Sequence, residues 1–230
     1  MNPIPFNWPT PVGREVEYLT QAALSGHLAG DGPFTKRCEA LLKQHTNAER
    51  ALLTTSCTHA LEMAALLLDI RPGDEVIVPA FTFVSTVNAF VLRGATPIFI
   101  DIRPDTLNLD ERQLRGALSP KTKAVVVVHY AGIGCKMDDI LADTTRAGVP
   151  VVEDNAHGLF GAYNGRPLGS FGALATLSFH DTKNVTCGEG GALLVNRSEL
   201  SSRAEILREK GTNRSKFFRG QVDKDRKSVV

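Results

Sequence analysis

Residues 178–191 read SFHDTKNVTCGEGG, and their reading decides the fold. One apolar run, 171–177, precedes them and another, 192–195, follows, so the segment reads as a connection between two buried strands. Lys183 stands in the middle of that connection. Around it are the hydroxyls of Ser178, Thr182 and Thr186, the amide of Asn184, and three glycines that let a backbone approach a ligand closely. A lysine taken alone is ordinarily a solvated surface charge. A second stretch, VVEDNAHG at 151–158, changes the reading, because it ends another buried strand at Asp154. A lysine and a carboxylate at neighbouring strand ends are what pyridoxal phosphate (PLP) chemistry requires. The lysine forms a Schiff base, and the carboxylate keeps the pyridine nitrogen protonated so that the ring withdraws electrons.

The rest of the chain supplies the setting. With 230 residues it can bury a sizeable core, as one large domain or two small ones. A hydrophobic content of 43% with 22% charged residues is that of a globular protein. A net charge of +1 gives no electrostatic reason to expect nucleic acid or an acidic membrane surface as partner. The four cysteines (Cys38, Cys57, Cys135, Cys187) form no CxxC pair and no zinc-like spacing, so buried or idle thiols are expected, with no metal. The N-terminus lacks the charged and apolar regions of a secretory signal, and no apolar stretch reaches the ~18 residues of a membrane span. The expected location is the cytoplasm.

Periodicity predicts a proline-rich extended arm at 1–12 and a glycine-rich loop at 25–34. Helices are expected over 13–24, 35–45, 59–68, 82–92, 137–146 and 199–210, with another capped by Asp110. Strands are expected over 51–54, 75–79, 97–102, 124–129 and 149–153. The strands are continuous apolar runs, which predicts an α/β fold: a mainly parallel sheet with helices on both faces. In such sheets ligands sit at the carboxyl ends of the strands. Polar and aromatic residues collect at those ends, at 56–58, 81–85, 129–130, 154–157 and 178–183. One shared site accounts for five such ends better than coincidence does.

Each group has a candidate task beside an ordinary one. Ser56, Cys57 and Thr58 lie where a strand turns into a helix, which suits a phosphate or a simple helix cap. Phe83 either stacks on a heteroaromatic ring or belongs to the core. His157, three residues beyond Asp154, orients the carboxylate, touches a ring oxygen or is structural. The GEGG at 188–191 suggests a dinucleotide site, but no GxGxxG lies between a first strand and its helix.

EDNAH (153–157), SFHDTKN (178–184) and GEGG (188–191) together resemble the DegT/DnrJ/EryC1/StrS sugar aminotransferases, PLP enzymes of the aspartate aminotransferase fold (fold type I). The resemblance extends from Pro5 to about Lys224. Longer strings, at 25–39, 54–70 and 208–224, are similar to members that serve enterobacterial surface-polysaccharide synthesis. The resemblance implies that Lys183 is the Schiff-base lysine and that Asp154 is the partner of the pyridine nitrogen. It implies that His157 contacts the cofactor's 3-hydroxyl and that Phe83 stacks on its ring. Ser178, Ser56 and the amides of Cys57 and Thr58 then hold the phosphate. Cys57 stands where many relatives have glycine, and Asn155, in place of the usual alanine, is expected to crowd Asp154. The implied reaction is a ping-pong transamination of a nucleotide-linked 4-keto-6-deoxyhexose with glutamate as amino donor, performed by a homodimer.

The resemblance stops after Lys224. Relatives continue into a smaller C-terminal domain, whereas residues 225–230 (DRKSVV) read as an unrelated basic tail of a frameshifted or truncated product. The expected organisation is therefore an arm (1–12), an incomplete PLP-binding large domain (13–224) and an aberrant tail (225–230), with the small domain absent. Little transaminase activity is expected of such a chain, and the rival reading is an inactive remnant that binds PLP. A nicotinamide-dependent enzyme is disfavoured by the missing glycine fingerprint.

Overall fold

The computed structural model describes residues 3–5 and 7–224, so the expected tail at 225–230 lies outside the described residues. The strands are β1 (Arg50–Thr54), β2 (Glu75–Pro79), β3 (Thr96–Ile100), β4 (Thr122–Val128), β5 (Val151–Asp154), β6 (Ala162–Tyr163), β7 (Arg166–Pro167), β8 (Leu174–Ser178) and β9 (Gly191–Val195). Seven of them form one sheet in the order β1-β9-β8-β5-β4-β2-β3, and β6 pairs with β7 in a separate small hairpin. The pairings from β8 through β5, β4 and β2 to β3 are parallel, while β9 runs antiparallel to both β8 and β1. The exception has a simple cause. Residues 179–190 return the chain directly to the neighbouring position, and a direct return produces an antiparallel pair, whereas a parallel one needs a crossover.

Eight helices occur among the described residues: α1 (Glu15–Leu24), α2 (Pro33–Thr46), α3 (Cys57–Leu67), α4 (Val84–Val91), α5 (Glu111–Ala117), α6 (Met137–Ala147), α7 (Ser198–Arg208) and α8 (Arg214–Phe218). They cover both sheet faces, as expected. On one face α3, α4 and α7 pack Ala60, Leu61, Ala64, Phe90 and Ala204 against Val76, Val78, Val126, Val152 and Leu193. On the other, α5 and α6 pack Leu114, Met137 and Ile140 against Ile77, Val125, Val127 and Val151. Leu42 of α2 packs over neighbouring strands, against Ala175 and Leu177 of β8 and Leu194 of β9. Adjacent strand residues thus enter different clusters, which is why the central strands read as unbroken apolar runs.

Local signals set most element ends. Pro33 opens α2, where its fixed φ suits a first turn and its missing N–H costs nothing. Asp110 caps α5 by accepting from the Arg112 amide at 3.1 Å. Gly148 closes α6 in the left-handed region (φ 67°).

Several expected boundaries shift. The strand expected to reach residue 102 ends at Ile100, and Ile102 makes only an isolated bridge to Leu109. The strand expected over 149–153 starts two residues later and includes Asp154, and β4 stops before His129. The β6–β7 hairpin and α8 carried no sequence signal strong enough to predict them. The arm forms neither helix nor strand over its described residues, and Asn7 donates to the Asp181 carbonyl at 3.2 Å, beside Lys183. The cysteines are not uniformly buried: Cys135 is, Cys57 is half-buried, and Cys38 and Cys187 are exposed thiols. No helix of the described residues is long and apolar enough to cross a membrane.

Candidate active site

The carboxyl end of β1 leads through Ser56 into α3. Ser56 has an extended backbone, and its Oγ accepts from the His59 amide at 3.1 Å. The amides of Cys57 and Thr58 occupy the first turn, where a helix has no carbonyls of its own to offer them. They point from the positive end of the helix dipole. Thr54, Gly191 and Ser178 lie side by side across β1, β9 and β8. At Gly191 an added Cβ would lie 2.4 Å from the Ser56 carbonyl carbon and 2.5 Å from the Cys57 nitrogen. Only glycine permits that approach, so the last glycine of GEGG is required by the strand's contact with the helix start. Ser178 ends β8 beside this cradle, with its Oγ accepting from the His180 amide at 3.4 Å.

Asp154 ends β5 in the middle of the sheet and is buried. Its Oδ2 accepts from Thr86 Oγ1 at 2.6 Å, and Oδ1 from the Ala156 amide at 3.2 Å. Because the Thr86 proton goes to the carboxylate, Thr86 in turn accepts from Thr82 at 2.7 Å. Burial pushes the Asp154 carboxyl above its ordinary range; Thr86, Ala156, His157 and Lys183 pull it back in part. Lys183 lies in the loop after β8, half-buried, with its amide donating to the His180 carbonyl at 3.0 Å. Its charge acts on Asp154, His157 and Cys57 together. Lys183 thus lies within electrostatic reach of all three.

His157 is half-buried, and burial, followed by the Lys183 charge, holds its pKa below the ordinary histidine value. Its ring meets Tyr130 edge-on at 5.6 Å, and Tyr130 in turn lies 4.9 Å from Phe81. The Cys57 thiol donates to Thr176 Oγ1 at 3.4 Å, and burial followed by Asp154 raises its pKa, so it is a packed thiol rather than a nucleophile. Thr58 Oγ1 and Ser85 Oγ are hydrogen-bonded at 2.8 Å, which ties the start of α3 to that of α4. Phe83 precedes α4 and is 72% exposed, with no ring partner among the described residues. It is not core, so the structural alternative for this residue falls.

One expectation changes, and one partner of Asp154 is new. Asn155 does not crowd Asp154: its fully buried side chain lies against Gly158 and Gly169, and neither amide atom has a hydrogen-bond partner among the described residues. Thr86 carried no expectation, and Thr82 entered only as one member of the polar cluster at 81–85. In a helix-patterned segment a threonine carries no functional signal, and only packing brings Thr86 to Asp154, with Thr82 behind it.

These groups fit a pyridoxal phosphate. The first-turn amides of Cys57 and Thr58, which have no carbonyl of their own helix to bond, suit a phosphate at the start of α3. Among the described residues Asp154 is a buried acceptor with two donors and no cation in hydrogen-bond contact, which leaves lone pairs for a charged N–H.

Comparison with known proteins agrees with this geometry. Residues 10–224 match the DegT/DnrJ/EryC1/StrS aminotransferase family. Spore coat polysaccharide biosynthesis protein SpsC of Bacillus subtilis (strain 168) is 39% identical over 216 residues, which cover 94% of this chain and 55% of SpsC. Among solved structures, Spr1654 of Streptococcus pneumoniae, described as a sugar aminotransferase and solved in a PMP form, superposes with a TM-score of 0.86 at 32% identity. The match covers 92% of this chain and 59% of that one. DesI, solved in the presence of its TDP-sugar product, gives 0.79 at 36% identity, over 84% of this chain and 49% of its own. The chain thus spans about half the length of the relatives it matches, and over that span its sheet and helices form the α/β fold of PLP-dependent sugar aminotransferases. On sequence and architecture alike, the chain belongs to the DegT/DnrJ/EryC1/StrS aminotransferase family.

Proposed function

We propose that residues 13–224 form the cofactor-binding large domain of a PLP-dependent sugar-nucleotide aminotransferase. The observation that carries this reading is the convergence of Lys183, the buried Asp154 and the amide-lined start of α3 at one end of the sheet. Relatives solved in PLP and PMP forms and with a TDP-sugar product support the same chemistry.

The bound cofactor supplies an electron sink for the carbon that gains or loses the amino group. The chain's own residues do the rest. Lys183 Nζ would hold the cofactor covalently and would serve the reacting carbon as general acid and base. Asp154 accepts a hydrogen bond from the ring nitrogen's N–H and keeps that proton in place. The amides of Cys57 and Thr58, with Ser56 and Ser178, bind the phosphate, Phe83 stacks on the ring, and His157 meets its 3-oxygen.

The finer proposal is that glutamate donates the amino group to C4 of a nucleotide-linked 4-keto-6-deoxyhexose, with dTDP-4-keto-6-deoxy-D-glucose as first candidate. It draws on the strings at 25–39, 54–70 and 208–224, which resemble dTDP-4-amino-4,6-dideoxygalactose transaminase of enterobacterial common antigen synthesis. A cytoplasmic homodimer belongs to the same proposal.

The test separates holding the cofactor from turning over. After incubation with PLP and borohydride, the wild type is expected to carry one label on Lys183, found by peptide mass. Lys183→Ala is expected to lose that label completely while keeping its circular dichroism spectrum. Label retained elsewhere in the alanine variant would refute the role of Lys183. Glutamate-dependent amination of dTDP-4-keto-6-deoxy-D-glucose then tests the substrate, and labelling without turnover would favour the PLP-binding remnant.

A further inference from the structure

The backbone around His157 carries information about how that side chain works. His157 Nδ1 accepts a hydrogen bond from the Ala131 amide at 3.2 Å. A ring nitrogen that accepts has a lone pair and no proton, so in the neutral imidazole the proton resides on Nε2. Protonation would set two N–H groups face to face. Burial and the Lys183 charge both oppose that state, while Asp154 alone favours it.

The donor comes from an unusual backbone. Ala131, with φ 52°, is a non-glycine residue in the left-handed region, inside the short 3-10 turn Tyr130–Gly132 that follows β4. Its side chain is exposed, so core packing does not require the strained conformation. What the conformation does is aim the amide at His157. Both neighbours also touch that histidine: Tyr130 meets its ring edge-on at 5.6 Å, and a Cβ on Gly132 would lie 3.1 Å from its carbonyl oxygen. Tyr130 and Ala131 thus meet the His157 side chain and Gly132 packs against its backbone, with Ala131 at the local strain typical of functional sites.

We propose that the 130–132 turn holds His157 as its Nε2–H tautomer, so that the residue is a one-way hydrogen-bond donor to an oxygen anion at the site, with Ala131 as the positioning residue. For the identity of that oxygen, the ionised 3-oxygen on the cofactor ring, the inference rests on the PLP reading. For the tautomer it does not. A fixed donor favours an oxyanion over a neutral hydroxyl or a bare carbon at that position, which is a selectivity a freely titrating or flipping histidine would lack.

The first measurement needs no cofactor. In protein labelled with ¹⁵N-histidine, two-bond ¹H–¹⁵N correlation is expected to show His157 with an unprotonated Nδ1 and a protonated Nε2 at neutral pH. Ala131→Gly, which relaxes the strain but keeps the amide, is expected to preserve that pattern. An Nδ1–H tautomer or an imidazolium at neutral pH overturns the proposal. The second measurement is equilibrium binding of PLP against its 3-deoxy analogue. The wild type is expected to prefer PLP by about tenfold or more, the value of a charge-assisted hydrogen bond, and His157→Phe is expected to lose the preference. Equal affinities in the wild type overturn the donor role while leaving PLP binding intact. If neither ligand binds, the cofactor reading fails alone, and the nitrogen spectra still decide the tautomer.

Discussion

Glu153 and Asp154 are consecutive buried carboxylates at the end of β5, and they face opposite sides of the sheet. Glu153 is saturated. Its Oε1 accepts from the amides of Phe171 (2.7 Å) and Gly172 (2.6 Å), and Oε2 from the Gly169 amide and His129 Nε2, both at 2.8 Å. His129 is itself held, since the Cys135 amide donates to its Nδ1 at 3.2 Å. Asp154 has two donors, and burial leaves its pKa raised. The same chemical group is thus a staple on one face and an open acceptor on the other. The difference teaches that burial alone does not single out a candidate site carboxylate; unfilled hydrogen-bonding capacity separates the two.

The contrast breaks most visibly in function. Asp154→Asn is expected to slow the half-reaction of the PLP-loaded protein with glutamate by about a hundredfold or more, since electrostatic groups at reacting centres carry effects of that size. The stability of the cofactor-free variant is expected to change by no more than ~1 kcal/mol, because one well-made hydrogen bond to Thr86 persists. Single-turnover absorbance and urea unfolding measure the two sides, and near-normal turnover would remove Asp154 from its role.

Glu153→Gln is expected to behave in the opposite sense. The amide NH₂ would confront donors where an oxygen now accepts, at a cost of about 3 kcal/mol or more. Urea unfolding is expected to show that loss. Unchanged stability would mean that the four hydrogen bonds do not form the staple described.

The smallest effect is a pH dependence. Burial raises the folded-state pKa of Asp154 above its unfolded value, so the contribution is fully present below the unfolded pKa and is lost as pH rises through the folded one. The cofactor-free wild type is therefore expected to gain stability relative to Asp154→Asn as pH falls from neutral toward about 4. His157 shifts in the other direction and feels the Asp154 charge, so both proteins are compared in a His157→Phe background. A flat difference across that range would show that Asp154 is not desolvated.

Much of this was legible from residue order. The unbroken apolar runs implied strands covered on both faces, because a strand buried twice cannot alternate. The lysine between two such runs and the aspartate ending a third implied a shared site, because parallel strands bring their carboxyl ends to one edge. Ser56, Cys57 and Thr58 were legible as a helix start from a small polar cluster ahead of an apolar helical run. Resemblance added the family, and with it the expected roles of Phe83, His157 and Ser178.

Tertiary structure decided what depends on contacts between distant segments. Local sequence contains no trace of Thr86 reaching Asp154 across 68 positions, nor of Glu153 collecting amides 16 to 19 residues away. It does not distinguish the two carboxylates, because identical chemistry in adjacent positions acquires different partners only when the faces are packed. Gly191 was visible as a glycine, but the approach of β9 to the start of α3 that demands it was not. Ala131 gave no warning at all, since alanine has no local preference for the left-handed region, and its amide reaches His157 Nδ1 only in the folded chain. Periodicity along a chain reports which residues are buried; only the folded neighbours determine whether a buried polar group is satisfied or still has a lone pair to offer.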